Sequence, residues 1–190
     1  MTKKSAGRPR SEQARAAILQ SAFELLEEGG ITRVTIEAVA ANAKVGKPTI
    51  YRYWANAQEL AMAAVMEQPA DKQLDLAGME PVLALKTQLQ TVVSRFATSS
   101  GKQATILMAS AQPESELSKA FRNQVILKSR EEGRFLVEEI MAADSAQNGM
   151  PIDTILDMIY GPIFYRLLAG HAPLHDDFAD EIVDTLFNPG

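Results

Sequence analysis

Residues 35–60, TIEAVAANAKVGKPTIYRYWANAQEL, decide how the amino-terminal part of the chain folds. Ile36, Val39 and Ala40 recur at helical spacing and predict a short helix with one apolar face. Residues 44–46 predict a tight turn, and a second short helix follows it. Two short helices joined by such a turn form a helix-turn-helix, which can place its second helix in the major groove of DNA.

The second helix of this motif carries side chains suited to contacts with DNA. Gly46 is its predicted N-cap, and the first turn holds Lys47, Pro48 and Thr49. The free N–H groups and the dipole at such a helix start favour a phosphate, and proline is tolerated there. Arg52 can bind a phosphate or a guanine. The complete set of predicted DNA-contacting residues is Arg8, Arg10, Thr35, Lys44, Gly46, Lys47, Pro48, Thr49, Tyr51, Arg52 and Tyr53.

Three of these side chains also have a purely structural interpretation. Tyr51 and Tyr53 can pack their rings on the domain, and Arg52 can be an ordinary solvated charge. Ile50 and Trp54, four residues apart, are predicted to face the core.

The distribution of charge divides the chain into two parts. The net charge of the whole chain is −5, which alone would argue against nucleic acid. Residues 1–60, however, hold nine Lys or Arg against six Asp or Glu, a net charge of +3, which leaves −8 for the remainder. Because attraction to phosphate acts over roughly 8–10 Å at physiological salt, a basic part can bind DNA while an acidic part stays away from it.

Composition argues against other classes of protein. The chain has no Cys, so it can form neither a disulfide nor a thiolate metal site. With two His, no Gly-rich phosphate loop and no G-x-S-x-G motif, it offers little to an enzyme. No apolar run reaches the roughly 20 residues of a membrane span, and the basic start lacks the apolar run of a signal peptide. We expect a cytoplasmic protein without a cofactor.

The pattern predicts an all-α chain of about nine helices in three regions. Residues 1–10 are expected to be a basic flexible arm, 11–55 a helix-turn-helix DNA-binding domain, and 56–190 a second helical domain with the fourth helix as connector. Helices are predicted over about 11–28, 36–43, 47–54, 56–69, 81–98, 104–111, 114–143, 152–169 and 177–187.

The eighth predicted helix, 152–169, is apolar around most of its circumference. Such a helix must bury more than one face, one against its own core and another against a partner related by a two-fold axis. The alternative is a central core helix. The residues assigned to a dimer interface are Leu156, Tyr160, Phe164, Leu168, Phe178, Ile182 and Leu186.

The middle helices mix Met and aromatic residues with a few polar groups, as small-molecule sites do and as packed helical cores also do. The residues assigned to a ligand pocket are Met108, Gln112, Phe121, Gln124 and Arg134. His171 and His175 have the spacing of metal ligands on a helix, but Pro173 lies between them, so a loop is the better interpretation and no metal site is predicted.

The first 65 or so residues resemble the DNA-binding domain of the TetR (tetracycline repressor-like) family of transcriptional regulators. The GRPR sequence of residues 7–10 also recurs in that family, and the stretch 159–187 resembles the carboxyl-terminal part of one subfamily. The resemblance implies that residues 56–190 form a ligand-binding and dimerisation domain, so that the protein is a homodimer with a small-molecule cavity in its carboxyl-terminal helices. The residues that carry the match are Ile18, Leu19, Leu25, Leu26, Thr35, Ile36, Val39, Ala40, Ala43, Val45, Thr49, Ile50, Tyr51, Trp54 and Leu60.

Three positions depart from the family pattern. Lys44 stands in place of the usual turn glycine, and Gly46 in place of the usual serine N-cap. Because these two changes keep a glycine near the turn, we expect the geometry to survive. Ala57 replaces a lysine that often meets a DNA phosphate, a loss that the basic arm can offset.

The expected function is that of a ligand-responsive regulator, most simply a repressor, that binds a palindromic DNA operator as a homodimer and is released by an unknown small molecule. The alternative is an architectural DNA-binding protein without ligand control, which would show little sequence preference. An enzyme with an accessory amino-terminal domain is a third reading, which catalytic turnover would support.

Overall fold

The computed structural model describes residues 8–67, 74–111, 114–143 and 149–187, and these ranges contain helices and loops but no strand. A 3-10 turn, Ile31–Arg33, follows the first helix. The helices are α1 (Arg8–Gly29), α2 (Ile36–Asn42), α3 (Lys47–Tyr51), α4 (Ala57–Met66), α5 (Pro81–Ala97), α6 (Ser99–Ser110), α7 (Glu116–Phe121), α8 (Lys128–Ala143), α9 (Ile152–Ala169) and α10 (Phe178–Phe187).

A π-helical segment, Arg122–Leu127, joins α7 to α8 without a break, so these two form one long helix interrupted in its middle. The prediction of an all-α chain with about nine helices is therefore confirmed over the described residues. The sequence pattern gave no sign of the π-helical segment, because a single inserted residue shifts the apolar spacing very little.

Two helix starts differ from the prediction. The first helix begins at Arg8, three residues before the expected Ser11. The sixth begins at Ser99 rather than near 104, with Thr98 as its N-cap, so Gly101 lies inside this helix instead of separating it from α5. A Cβ atom on Gly101 would come 2.4 Å from the carbonyl oxygen of Arg95, which explains why glycine is needed where α6 packs against α5.

We call residues 8–67, with α1 to α4, the head. Its core is built from the fully buried side chains of Ile18, Leu26, Ile50 and Leu60, with Trp54 beside them. Ile50 and Trp54 face inward as predicted, and the guanidinium carbon of Arg15 on α1 lies 5.8 Å from the centre of the Trp54 ring.

We call residues 74–187, with α5 to α10, the body. Its central helix is α5, which packs against α6, α8 and α10, while α9 packs against α6 and α8. Leu85 and Leu89 of α5 and Ile159 and Ile163 of α9 are fully buried. In the described ranges no helix is long and apolar enough to span a lipid bilayer.

A buried polar cluster joins three helices of the body. The Tyr160 hydroxyl lies 2.8 Å from the carbonyl oxygen of Ser129 and 3.0 Å from Oε1 of Gln88, either of which can accept its hydrogen. Gln88 Nε2 donates to the same Ser129 carbonyl at 3.1 Å. Burial raises the pKa of Tyr160, so the hydroxyl stays protonated and available as a donor. Gly133 makes room for it, because a Cβ there would lie 2.1 Å from the hydroxyl oxygen.

Candidate nucleic-acid interface and ligand cavity

Both helices of the helix-turn-helix begin at the predicted caps. The Thr35 side chain accepts a hydrogen bond of 3.1 Å from the backbone N–H of Ala38 and caps α2. Gly46 caps α3 in an extended conformation, with φ −75° and ψ 144°, and without a side-chain bond. Within the first turn of α3, Pro48 has no N–H and the N–H of Thr49 donates to the carbonyl oxygen of Gly46 at 2.9 Å. This helix start therefore offers fewer free N–H groups to a phosphate than a regular helix start does.

The turn between α2 and α3 is built around Lys44, which has a left-handed backbone with φ 54°. The N–H of Val45 donates to the carbonyl of Ala40 at 3.0 Å, and that of Lys44 to Ala41 at 3.3 Å. This is the hydrogen-bond pattern of a Schellman motif, in which the left-handed residue is usually glycine. The turn is formed although Lys44 stands where the family usually has glycine: Lys44 itself adopts the left-handed conformation, while Gly46 is extended.

The outward face of α3 presents the side chains expected to meet DNA. Tyr51 is 54% exposed although it is a large aromatic residue, and Arg52 is exposed beside it. Lys44, Lys47 and Pro48 are also exposed, and Thr49 is half-buried. For Tyr51, the alternative of a ring packed on the domain does not hold.

Tyr53 is half-buried and is bound to α1 of the head. Its hydroxyl lies 2.6 Å from the hydroxyl of Ser11 on α1 and accepts a hydrogen bond of 2.8 Å from Arg52 Nη2. The Ser11 hydroxyl and the neighbouring guanidinium lower the pKa of Tyr53. The guanidinium carbon of Arg52 also lies 4.8 Å from the centre of the Tyr53 ring. Tyr53 therefore orients Arg52, and its own contact with DNA stays a prediction.

Lys47, in the first turn of α3, forms an ion pair with Glu37 of α2. The hydrogen bond between them raises the pKa of Lys47 and lowers that of Glu37. Both side chains are well exposed, at 50% and 65%. The cation at the start of the recognition helix is thus shared with a carboxylate of its own motif.

Arg8 and Arg10 lie in the first turns of α1, but their side chains fall outside what the structure describes, as do residues 1–7 of the predicted arm. The proposed DNA contacts of these two arginines remain predictions.

The head is tied to the body through α4 and α6. Asn56 caps α4 by accepting a hydrogen bond of 2.8 Å from the N–H of Glu59. Gln58 of α4 donates to the Ser110 hydroxyl of α6 at 3.1 Å. Near the other end of α6, the side chain of Gln103 accepts from the N–H of Ile31 at 3.2 Å. A displacement of α6 would therefore act on the head at two separate points.

A cavity of about 340 Å³ lies where the head meets the body. It is bordered by α1, α4, the end of α5, the start of α6, and the α7 and π-helical region. Its lining residues are Phe23, Val65, Arg95, Phe96, Thr98, Ser100, Gly101, Ala104, Phe121 and Val125. A second, smaller cavity of about 190 Å³ is polar and lies between α4 and α7.

Only part of the predicted ligand pocket takes part in a cavity. Phe121 is buried and lines the larger one. Met108 packs against the core and lines neither. Arg134 is ion-paired with Asp153 at the α8–α9 surface, so its assignment as a pocket residue is not supported. Gln112 and the side chain of Gln124 lie outside the described residues.

Four residues assigned to a dimer interface belong to the protomer core instead. Leu156, Tyr160, Phe178 and Ile182 are at most 8% exposed in the single chain, so a partner has little left to cover. The helical spacing correctly marked them as apolar but could not tell an internal face from an external one.

Three assigned residues remain accessible in whole or in part. Leu168 is 56% exposed, whereas Phe164 and Leu186 are half-buried. Phe164 packs edge-on against Phe96 of α5, with ring centres 5.1 Å apart.

One face of α9, which includes Leu168 of the assigned residues, is apolar and open. Met158, Tyr165 and Leu168 are 42%, 66% and 56% exposed, and they follow one another at helical spacing with Gly161 between them. A Cβ on Gly161 would meet nothing within 4 Å, so this position leaves space for an approaching surface. We call these four residues the α9 stripe.

Sequence reasoning missed Phe23, Arg95 and Phe96 as cavity residues. They come from helices far apart in the chain, and apolar spacing is the same whether a side chain meets a neighbour or a void. Among the described residues, no group of three or more His, Cys, Asp or Glu is placed to hold a metal ion.

Two stretches of the chain match known protein families. Residues 18–64 match the bacterial regulatory proteins of the tetR family. Residues 84–186 match the tetracyclin repressor-like carboxyl-terminal domain.

Individual relatives agree over nearly the full length. The HTH-type transcriptional regulator YdeS of Bacillus subtilis is 31% identical over 190 residues, which cover 95% of this chain and 91% of that protein. The DNA-binding transcriptional repressor TetR of Mycobacteroides abscessus is 28% identical over 95% of this chain and 97% of its own. The crystal structure of the TetR family regulator SCO0332 shares the fold, with a TM-score of 0.64 and 24% identity over 94% of this chain and 98% of that one.

Proposed function

The chain belongs to the TetR family of bacterial transcriptional regulators, and we propose that it is a homodimeric repressor that binds a palindromic operator and is released from it by a small molecule. The observation that carries the proposal is the exposed face of α3. Tyr51 and Arg52 are exposed, whereas Ile50 and Trp54 are buried in the core of the head. A helix that is seated on a core and exposes base-reading side chains is suited to the major groove.

Repression is supported by the similarity to the Mycobacteroides abscessus protein, which is a transcriptional repressor. The relatives are transcriptional regulators, so the regulatory reading is preferred over an enzymatic one. Sequence-selective binding separates the proposal from an architectural protein that coats DNA.

The dimer is supported by the α9 stripe. An apolar surface of this kind on a soluble protomer is suited to pairing with a copy of itself across a two-fold axis. Two-fold symmetry of the protein would then be mirrored in a palindromic operator, with half-sites separated by about one helical turn or a multiple of it.

Release by a ligand is supported by the position of the larger cavity. Its walls include Phe23 and Val65 of the head and Ala104 of α6. Because α6 is bonded to the head at Gln103 and Ser110, an occupant that displaces α6 would change the placement of α3. A ligand that favours the displaced arrangement would lower the population able to match both half-sites.

The experiment is selection of bound sites from genomic DNA with the purified full chain, followed by affinity measurements on the selected sequence. We expect a palindromic site, with Arg52→Ala and Tyr51→Ala each weakening binding by roughly tenfold. Arg33→Ala is the matched control, because Arg33 is an exposed arginine of the head outside the helix-turn-helix. Full affinity in both α3 variants would exclude α3 as the reading helix, and equal affinity for random DNA would favour the architectural alternative.

A further inference from the structure

The walls of the larger cavity are apolar and well packed. Phe96, Ala104, Phe121 and Val125 form its deep side, and each is at most 7% exposed. Where α6 meets α5, Gly101 lies so close to the backbone of Phe96 that a Cβ would come 2.6 Å from its Cα atom. The open space is therefore not the result of loose helix packing around it.

The size of the cavity is that of a binding site. Protein cores are close-packed and contain few voids larger than a water molecule. A volume of about 340 Å³ falls instead at the lower end of the roughly 300–1,000 Å³ seen for small-molecule pockets. A ligand that fills it is small and mostly apolar.

The mouth of the cavity is polar, and Arg95 places a positive charge there. Arg95 and Thr98 are exposed there, and the Thr98 hydroxyl lies 3.2 Å from that of Ser100. Among the lining residues that the structure describes there is no Asp or Glu.

The guanidinium of Arg95 has no ion pair with any carboxylate that the structure describes. By contrast, Arg15 is bound to Glu67, and Arg130 to Asp153 and Asp157. The charge of Arg95 therefore remains available at the edge of an apolar space, which determines the sign of the complementary group on a ligand.

The helix that forms one wall departs from α-helical geometry at the cavity. Val125 lies within the π-helical segment Arg122–Leu127, and Phe121 directly precedes it. Segments of π-helix inside α-helices occur frequently at functional sites, because the regular hydrogen-bond ladder would be more stable if nothing else were required there.

We propose that this cavity binds a monocarboxylate with an apolar body, the carboxylate pairing with Arg95 and the body lying among Phe23, Phe96 and Phe121. The inference rests on the proposed function, since it names the chemical class of the releasing ligand. Arginine is suited to a carboxylate because two of its N–H groups can bind both oxygens. The body of the protein is acidic overall, so an anion would not gather at this place through general attraction.

The first experiment measures binding to the full chain by calorimetry in the absence of DNA, so that it does not depend on an operator. The probes are octanoate, 1-octanol and octylamine, which share one chain and differ in charge, with 2-naphthoate as an aromatic carboxylate. We expect octanoate to bind most tightly of the three alkyl probes. Hexanoate, which is two methylenes shorter, should bind more weakly than octanoate by about fourfold per methylene. The reason is that burial of one methylene group strengthens binding by about that factor.

The decisive variant is Arg95→Gln, which removes the charge from an exposed position and leaves the core intact. It should weaken the binding of octanoate by roughly tenfold and leave the affinity for 1-octanol unchanged. Lys102→Gln is the matched control, because Lys102 is an exposed cation of α6 that does not line the cavity. Ala104→Leu, which places more carbon atoms in the cavity, should weaken all alkyl probes.

Three results would each overturn the proposal. The first is that the unchanged protein and Arg95→Gln bind octanoate equally tightly. The second is that octanoate and 1-octanol bind equally tightly, and the third is that no carboxylate binds. If octanoate binds through Arg95 but does not displace the protein from a selected operator, the ligand class stands and release by that ligand fails. Comparison of octanoate with 2-naphthoate shows whether the body is alkyl or aromatic.

Discussion

Lys47 at the start of the recognition helix is ion-paired with Glu37 of the preceding helix. Each partner shifts the pKa of the other toward the charged form, so the pair is present at neutral pH. A DNA phosphate is an anion of the kind that Lys47 would otherwise bind. Glu37 therefore competes with the operator for this cation, and binding has to break the pair.

We expect Glu37→Gln to bind operator DNA about two- to fivefold more tightly at moderate salt, because the exposed ion pair no longer has to be broken. The gain should shrink as salt is raised, since exposed charges are screened. Lys47→Ala should reduce the slope of log affinity against log salt by about one, the effect of losing a single phosphate contact. Fluorescence anisotropy over a series of salt concentrations measures both.

Glu24→Gln is the control for this comparison, because it removes an exposed carboxylate of α1 outside the helix-turn-helix. If Glu37→Gln and Glu24→Gln tighten binding equally, the effect is one of net charge and the specific competition is absent.

The helices of the head were predictable from sequence because their signals are local. The caps at Thr35 and Gly46 and the inward spacing of Ile50 and Trp54 depend on residues within one or two turns. The left-handed conformation of Lys44 was not predictable in this way, since the sequence offers Gly46 two residues later and glycine adopts that conformation more readily than lysine. Only the hydrogen bonds that Lys44 and Val45 donate to carbonyl groups of α2 identify which residue turns the chain.

The candidate sites of the body were less predictable, since they depend on which helices meet. Tyr160 was predicted at a dimer surface, yet Gln88 and Ser129, 72 and 31 residues away in sequence, hold it in the core. Arg95 became a candidate only when α5 and the π-helical segment were seen to border one cavity. Apolar spacing identifies a buried face but not the partner that covers it.

The left-handed backbone of Lys44 predicts a stabilising substitution. Lys44→Gly should raise the free energy of unfolding relative to Lys44→Ala by about 1 kcal/mol, because glycine adopts a positive φ without the Cβ clash. Both variants lose the same charge, so their affinities for DNA should fall equally. Urea unfolding of the two proteins at one protein concentration measures the difference, and equal stabilities would show that Lys44 is not strained in solution.

The closeness of Gly133 to the Tyr160 hydroxyl predicts a coupled pair of substitutions. Gly133→Ala should destabilise the protein by about 1–3 kcal/mol, because the new Cβ would need the space of the hydroxyl oxygen. Tyr160→Phe alone should lower the free energy of unfolding by about 1–2 kcal/mol, since the buried side-chain oxygen of Gln88 loses its hydrogen-bond donor. In the double variant the removed hydroxyl gives room to the methyl group, so the combined loss should be smaller than the sum by about 1 kcal/mol. Strict additivity in urea unfolding would contradict this packing.

The α9 stripe predicts which substitutions separate the protomers. Tyr165 is 66% exposed, so Tyr165→Glu should leave the fold of a protomer intact while it places a charge in the proposed interface. We expect the dissociation constant of the dimer to rise by at least about tenfold in analytical ultracentrifugation, whereas Tyr165→Phe, which keeps the apolar surface, should remain dimeric. Because a palindromic operator is bound by both copies, Tyr165→Glu should also weaken operator binding although it lies far along the chain from α3. A Tyr165→Glu protein that stays dimeric would mean that the two copies meet through another face.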